Sequence, residues 1–334
     1  MRQGTLRQQE GRAGLALISP TLIITLVVVV LPLVWAIMLA FQDVRLINIR
    51  RAGIFGHYTL ENFSYVVSEP GFWSSLVNTL IYTVAGTALS IAIGLVAALA
   101  LRDRFKGRTL VRASILIPYV APVVAVAFLW ETMLNPQYGI VNTWLHEPIA
   151  FLTQAKGEFL GVQVPVALFT VIAFEAWRYF PFAFLFILAR LQALPAELDE
   201  AAVVDGATPT QRFRYVIMPQ LWRIIALLSV LRFVFTFTKF DDVYLLTGGG
   251  AGTEVVSVRV YNFLTARDDI GASAAQAIVL AVFLVVFLAI YLRFFGGGEN
   301  EQERTRRSER SGGPTRADGA PSARQALRGA NEER

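Results

Sequence analysis

The chain has 334 residues, of which 55% are hydrophobic and only 16% charged, with mean hydropathy +0.52. Soluble domains carry about 25% charged residues, so this balance calls for an apolar solvent rather than water. The net charge of +5 is spread around apolar runs and does not form the stripe of a nucleic-acid binder. The absence of cysteine excludes disulfides and thiolate chemistry, and the two histidines, His57 and His146, lie in separate polar stretches that offer no metal site.

A bilayer span needs roughly 20 apolar residues. Six stretches qualify or come close: Leu15 to Phe41, Leu76 to Leu101, Ala113 to Trp130, Val166 to Ala189, Ile224 to Leu246 and Ala272 to Phe295. The expected fold is an all-α polytopic bundle of six transmembrane helices. The first stretch follows Arg2, Arg7 and Arg12 but exceeds the apolar core of a signal peptide and lacks a small-x-small ending, so it reads as an uncleaved first helix. Segments 1–14, 102–112, 190–223 and 293–334 hold 21 of the 30 Lys and Arg residues. The positive-inside rule therefore puts both termini in the cytoplasm. Domain expectations follow: residues 1–14 as a cytoplasmic N-terminus, 15–295 as the membrane domain, and 296–334, opening on Gly296-Gly297-Gly298, as a disordered tail that can brush anionic lipid.

In the second span Asn78, Tyr82, Gly86, Ser90 and Gly94 recur every fourth residue, a small-residue face for close helix packing. In the third, Pro118 and Pro122 remove two backbone donors and predict a kink. The fourth carries Glu175 and Arg178 at i and i+3 beside Trp177 and Tyr179. That pair either neutralises itself for insertion or joins the aromatics in facing a solute. A mid-bilayer charge costs about 2.5–3.5 kcal/mol on insertion scales, so each one needs a partner or water.

The segment 194–219 between spans four and five has its own local logic. Pro195 suits a first helical position, with Glu197, Asp199 and Glu200 at the positive end. Gly206 can stop a helix in the left-handed conformation. Thr208, Pro209 and Gln211 then give an N-cap, a first-turn proline and a capping-box partner. Pro219 is expected to limit this second helix. The result is a rigid elbow whose apolar residues Ala201, Ala202, Val204, Phe213, Val216 and Ile217 form either a docking knob or a hairpin packed on the bundle.

Span five adds Ser229, Arg232, Thr236, Lys239 and Asp242 at spacings of 3, 4, 3 and 3, a polar stripe on one helix face, with Lys239 and Asp242 placed to pair. The stripe either walls a solute route or fixes helix rotation. Gln276 in span six is a further route candidate. The glycines from Gly248 to Gly252 lack a following lysine and read as an external turn.

Glu200-Ala201-Ala202, three residues, Gly206, nine residues, then Val216-Ile217-Met218-Pro219 resembles the EAA loop of ATP-binding-cassette (ABC) importer permeases. The run Asp205-Gly206-Ala207 matches too, and Val216 and Met218 replace an Ile and a Leu of the pattern, both near-isosteric changes. Phe240-Asp241-Asp242-Val243-Tyr244-Leu245-Leu246-Thr247-Gly248-Gly249-Gly250 is similar to the fifth-span ending of carbohydrate permeases of the MalF type. Asn78-Thr79, Ile117-Pro118-Tyr119 and Trp177-Arg178 resemble them as well, so the likeness covers about residues 15–295.

The resemblance implies a MalF/MetI-like permease bundle of a bacterial or archaeal inner membrane, a subunit of a binding-protein-dependent importer for a sugar or polyol. Glu200, Ala201, Ala202, Asp205, Gly206, Ala207, Phe213 and Pro219 would then couple to a separate, dimeric ATPase that holds ATP and Mg. A second homologous permease and an extracytoplasmic solute-binding protein would complete the system. No cofactor, metal or catalytic residue is expected on this chain, which lacks a Gly-x4-Gly-Lys-Ser/Thr phosphate loop. An importer for a non-sugar solute is the alternative within the family. Outside it stand a self-sufficient ion-coupled carrier and a membrane enzyme built on Asp241-Asp242 or Asp268-Asp269.

Overall fold

The computed structural model describes residues 3–103, 105–146, 148–159 and 162–295. The tail expected over 296–334 lies outside them. Among the described residues five helices are long and apolar enough to cross a membrane, and six spans result if the bent pair Arg108–Val120 and Val123–Met133 is counted as one. A short antiparallel pairing of Gly157–Phe159 with Val162–Val164 is the one two-stranded sheet among the described residues. Residues up to Val286 form one compact unit. The second begins at Phe287, within the last helix, Ile270–Phe295.

Helix starts at Gln3, so no break divides the expected N-terminal segment from the first span, Ala16–Ala40. Among the described residues two stretches are π-helical, Leu26–Val30 and Arg212–Ile217, and each ends just before a proline, Pro32 and Pro219. A proline cannot donate to the carbonyl four residues back and its ring collides with it. A wider turn at that point absorbs the misfit. This corrects the expected role of Pro219: the helix begun at Pro209 runs through it to Phe237. The second helix of the elbow and the fifth span are thus one rod.

The third span breaks where two prolines predict it. Helices Arg108–Val120 and Val123–Met133 meet at 95°, and Ala121, forced into extended backbone by Pro122, makes the corner at ψ 143°. The fifth span ends earlier than hydropathy suggests. After Phe237 the chain turns, and a new helix, Asp241–Thr247, starts with two carboxylates in its first turn, where the helix dipole favours them. The expected single stripe is therefore split, with Asp242 on a separate helix from Ser229, Arg232 and Thr236.

The second span, Pro70–Ala100, lies along the fourth, Val166–Gln192. Its buried face includes Thr79, Tyr82, Thr83, Gly86, Thr87, Ser90 and Gly94. The apolar core falls into two clusters along these helices. One gathers Tyr82, Val171, Phe174 and Val243, the other Ile91, Phe184, Ile187 and Leu221. Between them, in sequence order along spans four and five, come Glu175, Arg178, Arg232 and Thr236, all buried.

On the face assigned to the outside by the charge bias, Asn62 donates to the carbonyls of Ala40 and Gln42, each at 2.9 Å, anchoring the exit of the first span. Nearby Arg259, buried, reaches Glu69 at 2.6 Å and Glu254 at 2.9 Å, and Ser75 donates to the same Glu254 carboxylate at 2.7 Å. Asn78, expected only to pack, donates to the carbonyls of Gly252 and Glu254 and so holds the glycine turn to span two.

Span two and span four depend on Gly94. A Cβ there would lie 2.7 Å from the Ala183 methyl and 2.8 and 2.9 Å from backbone atoms of Phe184 and Phe180, which cannot step aside. Gly94→Val is expected to cost about 1–3 kcal/mol through overpacking, read as earlier unfolding in an SDS titration from mixed micelles. An unchanged midpoint would contradict this packing.

Candidate functional site

The centre of the site is Glu175, fully buried on span four. One carboxylate oxygen accepts from Arg232 in a close ion pair and from the Thr236 hydroxyl at 2.9 Å, both on span five. The other accepts from the Tyr82 hydroxyl of span two at 3.1 Å. The expected pairing of Glu175 with Arg178 in its own helix is thus corrected, because Glu175 reaches across to Arg232. An intrahelical pair would satisfy the charges only on one helix, whereas this arrangement satisfies them by closing three helices on one point. Gly86 lets span two approach: a Cβ there would stand 2.9 Å from the Glu175 Cγ.

Tyr179 forms the next layer. The Arg232 guanidinium lies 4.3 Å and the Lys239 ammonium 3.8 Å from its ring centroid, and its hydroxyl also receives Lys239. Cations over an aromatic face are drawn by its quadrupole, most strongly where water is scarce. Lys239 also stands 3.6 Å from Asp242, so the expected pair forms although Lys239 lies in the turn before the helix that carries Asp242. Arg178 donates to the Tyr179 hydroxyl at 3.2 Å and to the Ala121 carbonyl, at the corner of the broken third span, at 3.4 Å.

Beside this layer opens a cavity of about 420 Å³, lined by Tyr119, Tyr179, Phe182, Arg232, Phe235 and Lys239 among others. That volume falls within the usual range of small-molecule pockets, about 300–1,000 Å³. Three of the predicted route residues, Tyr179, Arg232 and Lys239, line it, while Glu175, Thr236 and Asp242 sit behind and hold them. Trp177 packs instead with Trp130 and Phe174, at ring-centroid distances of 5.5 and 6.4 Å. Ser229 spends its hydroxyl on the Ile225 carbonyl one turn back. Gln276 is buried, and its amide has no partner among the described residues. Tyr119, Phe182 and Phe235 carry no sign of a lining role in the sequence. Nothing in a span's periodicity marks which of many aromatics face a cavity.

At the opposite end of span five the elbow has the predicted local structure. Helix Ala196–Val204 ends at Asp205, and Gly206 turns the chain at φ +74° with open space around it. The Thr208 amide donates to the Gln211 side chain at 2.8 Å while the Gln211 amide returns a bond to the Thr208 hydroxyl, a complete capping box. Glu200, Ala201 and Asp205 are exposed, Ala202 and Ala207 partly so, and Val204 is almost bare. Of the two readings left open for the elbow's apolar residues, Phe213 and Ile217 follow the second, packing against the inner apolar cluster. The outward apolar surface of the elbow is therefore carried by Leu198, Val203 and Val204 of the short helix and by Tyr215 of the second.

The family model for binding-protein-dependent transport system inner membrane components matches residues 90–295, more than half of the chain and spanning cavity and elbow alike. The chain belongs to this family. This permease is 32% identical over 291 residues to the trehalose/maltose transport system permease protein MalF of Thermococcus litoralis, covering 86% of this chain and 95% of that one. It is 35% identical over 270 residues to the inner membrane ABC transporter permease protein YcjO of Escherichia coli, covering 80% and 89%. Its fold is that of a chain of a bacterial ABC transporter involved in the import of the acidic polysaccharide alginate, with a TM-score of 0.74 at 23% identity, over 87% of this chain and 98% of that chain.

It is thus the membrane permease component of an ABC importer, a multi-pass inner-membrane protein that is not itself catalytic, with ATP bound on a separate ATPase. Membership of this family removes both outside readings, the self-sufficient carrier and the membrane enzyme. Among the described residues no cluster of three or more His, Asp or Glu could hold a metal.

Removing one partner of a buried ion pair leaves an uncompensated charge, at a cost of about 3–5 kcal/mol, whereas replacing both by apolar groups is often neutral. Glu175→Ala is therefore expected to destabilise the permease by that amount in SDS unfolding, and the double variant Glu175→Met/Arg232→Met to recover most of it. Equal losses in both variants would show that the pair does not act as a unit.

Proposed function

We propose that this permease moves a sugar or polyol-like solute through the cavity beside Tyr179, driven by an ATPase dimer that docks on the elbow. The single observation that carries the solute reading is the composition of that cavity. Aromatic faces from Tyr119, Tyr179 and Phe182 suit the apolar faces of a sugar ring. Arg232, Lys239, Thr238 and Asp241 offer donors and an acceptor to hydroxyls. The names of relatives support the same class. Besides the trehalose/maltose protein, they include the trehalose transport system permease protein SugA of Mycobacterium tuberculosis, 30% identical over 297 residues. The sn-glycerol-3-phosphate transport system permease protein UgpA of Rhizobium meliloti is 33% identical over 245 residues.

A binding protein on the outside delivers the solute in this reading, in keeping with the family description and with the alginate transporter solved in complex with its pentasaccharide-bound periplasmic protein. A second, homologous permease supplies the other wall of the route. The first span has room for it, since none of its most apolar window is buried within this chain. The elbow docks through Ala201, Val204 and their neighbours, with Glu200 and Asp205 at its rim. The fifth span then carries displacement from the elbow to Arg232 without a joint.

Two experiments test this. Proteoliposomes holding the full complex are expected to take up radiolabelled trehalose, maltose or glycerol 3-phosphate, and Tyr179→Ala to abolish that uptake. Uptake of amino acids alone would overturn the solute class. At the elbow, Gly206→Val places a β-branched residue at φ +74°, where L-residues pay roughly 1–2 kcal/mol. Membrane insertion is expected to persist while ATP hydrolysis continues without uptake. Unchanged uptake in that variant would remove the elbow from the coupling route.

A further inference from the structure

The elbow helix Ala196–Val204 buries none of its residues. Beneath it lies a cavity of about 270 Å³ whose lining includes Arg102, Leu194, Pro195, Asp199, Val216 and Ile217. Apolar packing therefore does not fix where this helix stands. A polar contact does. Asp199 receives the Arg212 guanidinium side-on, Nε to one carboxylate oxygen at 2.9 Å and Nη2 to the other at 2.8 Å, and the second oxygen also receives Arg102. Arg102 lies two residues past the end of span two at Ala100, and Arg212 opens the π-helical stretch at the base of span five.

We propose that Asp199 is the positioning residue of the elbow, a carboxylate pin that makes the docking helix move as one body with the inner ends of spans two and five. The inference rests on the proposed docking of an ATPase at the elbow and adds how displacement there reaches the bundle. Spans two and five are the helices that deliver Tyr82, Arg232 and Thr236 to Glu175, so a pinned elbow is joined to the cavity by two rods rather than one.

An isolated exposed ion pair does little, but a planar guanidinium matched to both carboxylate oxygens, with a second cation sharing one of them, is a directional and geometrically selective joint. All three side chains are about a quarter exposed, enough to form without the penalty of deep burial. The Arg212 hydrogen bonds, with Arg102 assisting, hold the Asp199 carboxyl below its ordinary range. The joint is therefore present above the unfolded carboxylate value of about 3.9 and is lost only as pH falls through the lowered one.

The chain has no cysteine, so introduced cysteines can carry spin labels without competition. One label goes on the elbow helix at Val203, and a second on span two at Val96 or on span five at Leu227, all exposed positions. Distances are read by pulsed electron spin resonance on the complex co-purified with its ATPase in lipid nanodiscs, with and without ATP and vanadate. The pin predicts one narrow distance for each pair, unshifted by nucleotide.

Asp199→Asn is expected to lose the single distance in both pairs, and Asp199→Glu to restore it. Arg102→Gln should broaden only the elbow-to-span-two distance, an outcome that general destabilisation would not produce. Narrow distances in Asp199→Asn, or equal broadening of both pairs in Arg102→Gln, would overturn the pin. Failure of the unmodified chain to retain an ATPase would instead overturn the docking reading, with the label distances still reporting on the pin.

Discussion

An ionised carboxylate sealed inside a helical bundle has to be met by donors, and Glu175 is sealed completely. Its donors come from spans two and five, and Glu175 itself belongs to span four. No one of these helices can rotate or slide far without leaving the charge unpaired in a medium where that is expensive. Small residues make the arrangement sterically possible, Gly86 against Glu175 and Gly94 against the span-four backbone. The carboxylate makes it the arrangement adopted. The polar layer it organises lies between two apolar clusters, and the cavity opens from that layer.

The same layer sets the character of the cavity wall. Arg232 is held by Glu175, Lys239 by Tyr179 and Asp242, and both cations lie over the Tyr179 ring. A neutralised cation keeps hydrogen-bonding capacity while giving up most of its long-range field. In the proposed reading, such a wall offers a hydroxyl-rich solute many directional partners. From this wall the fifth span runs unbroken to Pro209, with a widened turn accommodating Pro219. Cavity wall and elbow thus share one helix, the mechanical basis of the proposed coupling.

Much of this was readable from residue order because it is local. The apolar runs gave the spans, Pro118 and Pro122 the break in the third, and Thr208 with Gln211 the capping box. What escaped was whatever depends on distance between helices. The i, i+3 spacing offers Glu175 a partner in Arg178, yet the choice of Arg232 follows from how closely spans four and five approach. Phe213 looks equally suited to solvent-side docking and to the core until the turn of the rod beneath the elbow is known. Hydropathy also carried the fifth span past Phe237, because Val243, Leu245 and Leu246 are as apolar as a span. The Asp241-Asp242 doublet, which residue order offers as the end of a stripe or the acidic pair of an enzyme, is the start of a new helix.

The proposed coupling depends on force entering through the elbow, and capture of the elbow's neighbour measures that most directly. With cysteine placed at Val204, the nearly bare tip of the elbow helix, cross-linking in intact cells followed by identification of the adduct should return an ABC ATPase subunit. A cysteine at the exposed Val96 of span two should not. Adducts at Val204 that never contain an ATPase, while the transporter still works, would contradict the account.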